Sequence, residues 1–314
     1  MANSFTPSDW RRLASRRVAT NGVELHVVEH GEGPLVVLCH GFPELGFSWR
    51  HQVFALAEAG YRTLTPDLRG YGASSRPRDA GAYDVLTLCA DLAGLLDDAG
   101  AADAIFVGHD WGASLVWQMA LLHPERVRAV AGLSVPASPR APAPPISILR
   151  RRLGDDFYMC WFQEPGVADA VLARDVRRTL LTDATDASSW SRGPDERLPA
   201  RPWQSEEDLT VFVEAFEKTG FTGGLNYYRN IDRNWSLTGH LAGRSIDRPS
   251  LFVTGSEDPV AGFMTAGRLE SVLTDLRGVV VLDGAGHWIQ QERPDDVTAA
   301  LLRFFATLDS ARRP

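Results

Sequence analysis

Gly108-His109-Asp110-Trp111-Gly112 sets an aspartate between two small residues, where a buried strand hands over to a helix. Glycines at both ends permit the sharp strand-turn-helix that lifts the central side chain above a sheet, the nucleophile-elbow geometry usually written G-x-S-x-G. A carboxylate with an intrinsic pKa of ~4 is already ionised at neutral pH and needs no base to activate it. Its attack on an ester or amide yields a poor mixed anhydride, whereas attack on an sp3 carbon bearing a leaving group yields a stable alkyl ester. The chemistry expected at Asp110 is therefore displacement on an alkylating electrophile, an epoxide or an alkyl halide.

Such an elbow takes its acid and its histidine later in the chain. Of the eight histidines only His240 and His287 lie beyond Cys160, and His287 alone directly follows a strand, in Gly284-Ala285-Gly286-His287-Trp288. Thr254-Gly255-Ser256-Glu257-Asp258 supplies two carboxyls at another strand end, with Asp258 preferred over Glu257 as the orienting acid. Ser134-Val135-Pro136, at the strand end before it, supplies none. His40-Gly41-Phe42-Pro43 closes an earlier strand and assigns the oxyanion donors to the Phe42 and Trp111 backbone amides. Opening an epoxide leaves an alkoxide to be protonated, a task for phenols with pKa near ~10. Tyr158, Tyr227 and Tyr228 are the tyrosines within a long insertion. Phe157, Trp161 and Phe162 give the same region an apolar pocket wall.

The elements that must position these groups follow from periodicity. Arg17–Thr20 and Val23–Glu29 flank Asn21-Gly22 as a tight hairpin. Apolar runs at Leu35–Cys39, Tyr61–Thr65, Ala104–Val107 and Val127–Leu133 alternate with helical patterns near Trp49–Ala59, Leu86–Leu96 and Ala113–Leu122. That order predicts an α/β fold with a mostly parallel twisted sheet and helices on both faces. Five prolines between Pro136 and Ile146 form an exit linker, and about a hundred residues of helical pattern follow, with Ser205 and Asp208 capping one helix. Strands resume at Ser250–Thr254 and Val279–Leu282, before a helix over Asp295–Phe305. The expected domains are a core of residues 1–136 and 247–314, split by a helical lid of residues 137–246.

Composition bounds the rest. At ~150 residues per domain, 314 residues suit one large domain with an insertion, and 44% hydrophobic residues suffice for a sizeable core. Thirty-two Lys plus Arg against 40 Asp plus Glu, a net charge of −8, argues against nucleic acid as partner. Lys218 is the sole lysine and has no phosphate loop around it, which removes P-loop and Schiff-base chemistry. The three scattered cysteines spell out neither a disulfide framework nor a metal site. With neither a signal peptide nor a membrane span evident, a cytoplasmic protein is expected.

The sequence resembles the soluble epoxide hydrolases of the α/β-hydrolase superfamily, of the actinobacterial type, from about Val18 to Phe305. The resemblance rests on His40-Gly41-Phe42-Pro43-Glu44, Asp67-Leu68-Arg69-Gly70-Tyr71-Gly72, the Asp110 elbow and Gly286-His287-Trp288. In the insertion it rests on Tyr158 ahead of Trp161-Phe162-Gln163-Glu164-Pro165-Gly166, and on Leu225-Asn226-Tyr227-Tyr228-Arg229-Asn230. It implies that Tyr158 and Tyr228 polarise the epoxide oxygen, that Tyr227 is a packing residue, and that the peptide before Pro43 is cis. No cofactor or metal is expected, and the partners are an epoxide and water; a homodimer stays open. Two rival readings are a haloalkane dehalogenase and a non-catalytic receptor on the same scaffold. The first shares the core motifs but often carries asparagine where Phe42 stands, and the second would tolerate loss of nucleophile, base or acid.

Overall fold

The computed structural model describes residues 5–182, 198–264 and 266–310. Strands β1 (Ala14–Thr20) and β2 (Val23–His30) form an antiparallel hairpin in which Thr20 faces Val23. The turn residues Asn21 and Gly22 take φ of 44° and 77°, the left-handed pair that a two-residue hairpin demands. The strands that follow are β3 (Leu35–Cys39), β4 (Arg62–Pro66), β5 (Ala104–His109), β6 (Val127–Leu133), β7 (Ser250–Gly255) and β8 (Leu276–Leu282). Among the described residues they form one sheet in the order β1-β2-β4-β3-β5-β6-β7-β8, parallel from β4 onward. Every residue of β3 and β5 is buried, as expected of central parallel strands covered on both faces, whereas the edge strand β8 alternates with solvent.

One face of the sheet packs Trp49, Val53 and Leu56, around and within α2 (Arg50–Glu58), together with Val297, Leu301 and Phe304 of the C-terminal helix Pro294–Ser310. The other face carries α3 (Val85–Asp98) and α4 (Trp111–Leu122), and this second core runs on without a break into the helical insertion between β6 and β7. That insertion holds helices Pro145–Leu153, Tyr158–Trp161, Val167–Leu172, Val176–Leu181, Glu206–Thr219, Thr222–Arg229 and Ile231–Leu237. Residues 183–197 of the expected lid lie outside the described residues.

Boundaries shift where local caps outvote periodicity. The elbow helix begins at Trp111 instead of Ala113, and β5 runs on to His109. Pro145, expected to end the linker, instead starts a helix, a position where its missing N–H breaks no hydrogen bond. A short helix, α1 (Pro7–Arg11), precedes β1; Thr6 and Asp9 close a capping box around it, and five residues are too few to show a period. The seam between core and insertion is tight at Gly70 and Gly223, since a Cβ on Gly70 would lie 2.9 Å from the Gly223 Cα.

Candidate active site

Asp110 follows β5 directly and takes φ 53° and ψ −117°, a left-handed conformation that costs a non-glycine residue free energy. The flanking glycines are required sterically: a Cβ on Gly108 would lie 2.1 Å from the Gly112 carbonyl oxygen, and one on Gly112 would lie 2.1 Å from that of Cys39. A Cβ on Gly41 would sit 2.4 Å from the Asp110 Cβ, so the loop after β3 can close over the elbow only with glycine there. That closure brings the Phe42 amide to Asp110, where it donates to Oδ1 at 2.8 Å. The Phe42–Pro43 peptide is cis. Trp111 is the first residue of α4, a place where a helix leaves N–H groups without intrahelical partners.

His287 lies in the loop after β8 and Asp258 in the loop after β7, so all three side chains stand at the C-terminal ends of parallel strands. His287 Nδ1 is 3.0 Å from both carboxylate oxygens of Asp258, while its Nε2 stands 3.6 Å from Asp110 Oδ2, ion-pair distance without a hydrogen bond. Asp258 is itself fixed by accepting from the Val260 amide at 2.9 Å. Glu257, the other carboxyl of that loop, is exposed. Burial disfavours charge on His287, but Asp110 and Asp258 on either side overcome it and raise the imidazole pKa to about 10. Burial likewise opposes charge on Asp110, and here His287, His109 and the Phe42 amide outweigh it and hold the carboxyl below its ordinary value.

Tyr158 and Tyr228 are both buried, with ring centroids 5.9 Å apart. Tyr228 stands edge-on to Trp111 at 4.9 Å and to Phe42 at 5.5 Å, directly above the elbow. Burial, reinforced by the Asp110 charge, pushes both phenols well above their usual pKa. Two reciprocal clamps join the segments that carry them: Gln163 donates to the Tyr228 carbonyl at 3.0 Å, and Arg229 to the Phe162 carbonyl at 3.1 Å. Phe162 is fully buried between the tyrosines, 5.6 Å from Tyr158 and 5.0 Å from Tyr228. Phe157 packs beside Tyr158 at 4.8 Å, and Trp161 beside Phe162 at 5.5 Å, both half-buried. Tyr227 points away, its hydroxyl donating to the Arg69 carbonyl. Cys160 is buried, with its thiol pushed up by that burial.

Sequence reasoning passed over a buried polar hub under this site. Glu44 Oε2 accepts from the Gly41 amide at 3.1 Å and faces His109 Nδ1 at 2.8 Å, and Oε1 accepts from Gln290 and Gln291. His109 Nε2 and the Ser134 hydroxyl both converge on the His287 carbonyl, at 2.8 and 2.7 Å. Glu44 and His109 thereby tie the loop after β3 to the loop that carries His287. Gln291 also accepts from the fully buried Arg50, which pairs with Asp208 of the insertion at 3.2 Å. Their signal was available: glutamate and histidine within otherwise apolar strand ends need buried partners.

Among the described residues no group of three or more His, Cys, Asp or Glu side chains is placed to hold a metal ion. No helix among them is long and apolar enough to cross a membrane. Residues 34–294 match the α/β hydrolase fold family. The chain is 54% identical to epoxide hydrolase A of Mycobacterium tuberculosis, over 94% of this chain and 98% of that protein. The crystal structure of epoxide hydrolase A from Mycobacterium thermoresistibile superposes with a TM-score of 0.88 at 52% identity, covering 94% of this chain and 98% of that one. Potato (Solanum tuberosum) epoxide hydrolase I does so with a TM-score of 0.86 at 35% identity, over 94% and 100% of the two chains.

Proposed function

The chain belongs to the epoxide hydrolases of the α/β-hydrolase fold, and from that membership we propose that it converts an epoxide and water to a vicinal diol through an alkyl ester on Asp110. The observation that carries this reading is the Asp110 carboxylate itself, with Oδ1 on the Phe42 amide at 2.8 Å and Oδ2 3.6 Å from His287 Nε2. Oδ2, to which no backbone amide among the described residues donates, attacks an epoxide carbon. The ring C–O bond breaks, its electron pair passes to the oxygen, and Tyr158 or Tyr228 supplies the proton. Phenols held well above pKa 10 stay protonated and ready to donate, and an alkoxide is basic enough to take the proton.

Ester formation removes the Asp110 charge, one of the two carboxylates that hold His287 protonated. The imidazole pKa must then fall, so the histidine becomes a base only after the first step is complete. It takes a proton from water, and the hydroxide attacks the ester carbonyl carbon. The oxyanion develops at Oδ1, where the Phe42 amide already points and the Trp111 amide is the second donor; each such donor contributes roughly 3 kcal/mol. Collapse expels the diol oxygen, which takes the proton from the His287 imidazolium, and returns Asp110 with one oxygen from water.

In this reading residues 137–246 form the lid, carrying the acid groups over a core that carries nucleophile and base. Phe157, Trp161 and Phe162 shape the apolar surroundings of the tyrosines. All three cysteines are free and buried, which suits a reducing cytoplasm. The His287→Gln variant, mixed with styrene oxide, tests the scheme: intact-protein mass should rise by the mass of one substrate, and peptide mapping should place the adduct on Asp110. An unmodified protein that still turns substrate over would defeat it. The haloalkane dehalogenase reading has no comparable support, since the relatives named above are epoxide hydrolases.

A further inference from the structure

Two side chains with no part in the chemistry proposed above grip the loop that presents His287. Glu292, the last residue of the short helix Ile289–Glu292, reaches back past the start of its own helix. Its Oε2 accepts from the Gly286 amide and its Oε1 from the Trp288 amide, both at 2.8 Å. One carboxylate thus holds the main chain on either side of the histidine, through hydrogen bonds of the charge-assisted kind. The approach is close: a Cβ on Gly286 would lie 3.1 Å from Glu292 Oε1 and crowd it.

Ser134 holds the carbonyl between those amides. Its hydroxyl donates to the His287 oxygen at 2.7 Å, while its own amide donates to the Val253 carbonyl at 2.9 Å, just past the end of β6. Ser134 is buried and takes φ of 66°, a left-handed conformation that costs a non-glycine residue free energy and persists only where surrounding contacts enforce it. Ser134-Val135-Pro136 supplies no carboxylate to the site; it supplies a hydroxyl aimed at the main chain of the base.

This anchoring controls a distance across the site. His287 Nε2 stands 3.6 Å from Asp110 Oδ2, near enough for attraction between opposite charges and too far for a hydrogen bond. A loose loop would let the imidazolium close onto the carboxylate. A loop tied at Gly286, His287 and Trp288, with the ring oriented separately by Asp258, keeps the two apart. We propose that Glu292 and Ser134 are positioning residues for His287 and that they act on the second half-reaction, holding Nε2 where it draws a proton from water once Asp110 has become an ester. The proposal rests on the reading of Asp110 as nucleophile and His287 as base.

The test follows single turnovers of styrene oxide by stopped-flow tryptophan fluorescence in the wild type, Glu292→Ala, Glu292→Gln and Ser134→Ala, with intact-protein mass of the quenched reactions. Formation of the Asp110 ester should keep its wild-type rate, because a carboxylate nucleophile needs no base. Hydrolysis in Glu292→Ala should slow by roughly 10- to 100-fold, the scale of a displacement of about 1 Å in a catalytic group, so that the ester accumulates. In steady state kcat and KM should then fall together, leaving kcat/KM near its wild-type value. Glu292→Gln keeps one acceptor and should be slowed less, and so should Ser134→Ala, where His109 still faces the same carbonyl. Equal slowing of both steps would reduce these residues to general supports of the fold and overturn the proposal, as would wild-type hydrolysis in the Glu292 variants. Should Glu292→Ala fail to fold, Glu292→Gln carries the same comparison. Absence of any ester in His287→Gln would instead sink the parent reading of Asp110.

Discussion

In the sheet region each group proposed as nucleophile, base or acid stands at the end of a parallel strand and is fixed by main-chain contacts: Asp110 by the Phe42 amide, Asp258 by the Val260 amide, His287 by its own carbonyl bonded to Ser134 and His109. In the insertion, Tyr158 and Tyr228 ride on helices of four and eight residues. Those helices are held by ring packing and by two side-chain clamps onto carbonyls. The sheet side therefore stores strain and keeps one geometry, and the insertion side is a packed aromatic cluster whose hydroxyls are chemically separable from its fold. Removing a hydroxyl on the insertion side should change rate without changing structure; adding a methyl group on the tight glycines should change structure first.

The largest effect expected from this contrast is on ring opening. The Tyr158→Phe, Tyr228→Phe double variant should slow formation of the Asp110 ester by about 10²- to 10⁴-fold, read by stopped-flow tryptophan fluorescence, with an unaltered circular dichroism spectrum. Hydrolysis of the ester should be spared, and an equal slowing of both steps would show that the tyrosines position substrate and do not donate.

A smaller effect separates the two carboxylates on His287. In Asp110→Asn the imidazole keeps Asp258 alone, so its pKa, followed by NMR of the ring protons, should drop by a unit or more from about 10. Because the folded pKa lies above the unfolded value near 6.5, stabilisation by the imidazolium is full below that value and is lost as pH rises towards 10 in the wild type. In the variant the loss should start from the same pH, be smaller and be complete at lower pH. An unchanged titration would mean that Asp110 does not hold the proton on His287.

The smallest effect concerns the seam. Gly70→Ala should lower stability by about 1–3 kcal/mol in a urea titration, because its Cβ would lie 2.7 Å from Tyr83 and 2.9 Å from the Gly223 backbone. Gly243→Ala has a similar φ of 77° but open space around it and should cost only about 1 kcal/mol, the conformational part alone. Equal losses at the two sites would argue against close backbone contact between core and insertion.

The same contrast explains what could be read from the chain. Asp110, His287 and Asp258 were legible because strand ends in a parallel sheet converge, so order along the chain becomes proximity in space. The hairpin at Asn21-Gly22 and the Ser205 cap were legible because their signals are local. Tyr158 and Tyr228 lie 70 residues apart on separate helices, and no periodicity says which tyrosines meet; the resemblance, and not spacing, singled them out. Glu44 and His109 stand in legible motifs, but their joining with Gln290 and Gln291 was not legible, because these residues come from a loop, a strand end and a short helix far apart in the chain.

The central claim is that the oxygen added to the substrate comes from Asp110 and that water restores the carboxylate. A single turnover with enzyme in excess in oxygen-18 water, followed by mass analysis of the diol and of the peptide containing Asp110, addresses it directly. The label should appear in the Asp110 peptide while the diol formed in that turnover carries none. Label in the diol with an unlabelled peptide would mean that water attacks the epoxide itself, and the covalent account would be wrong.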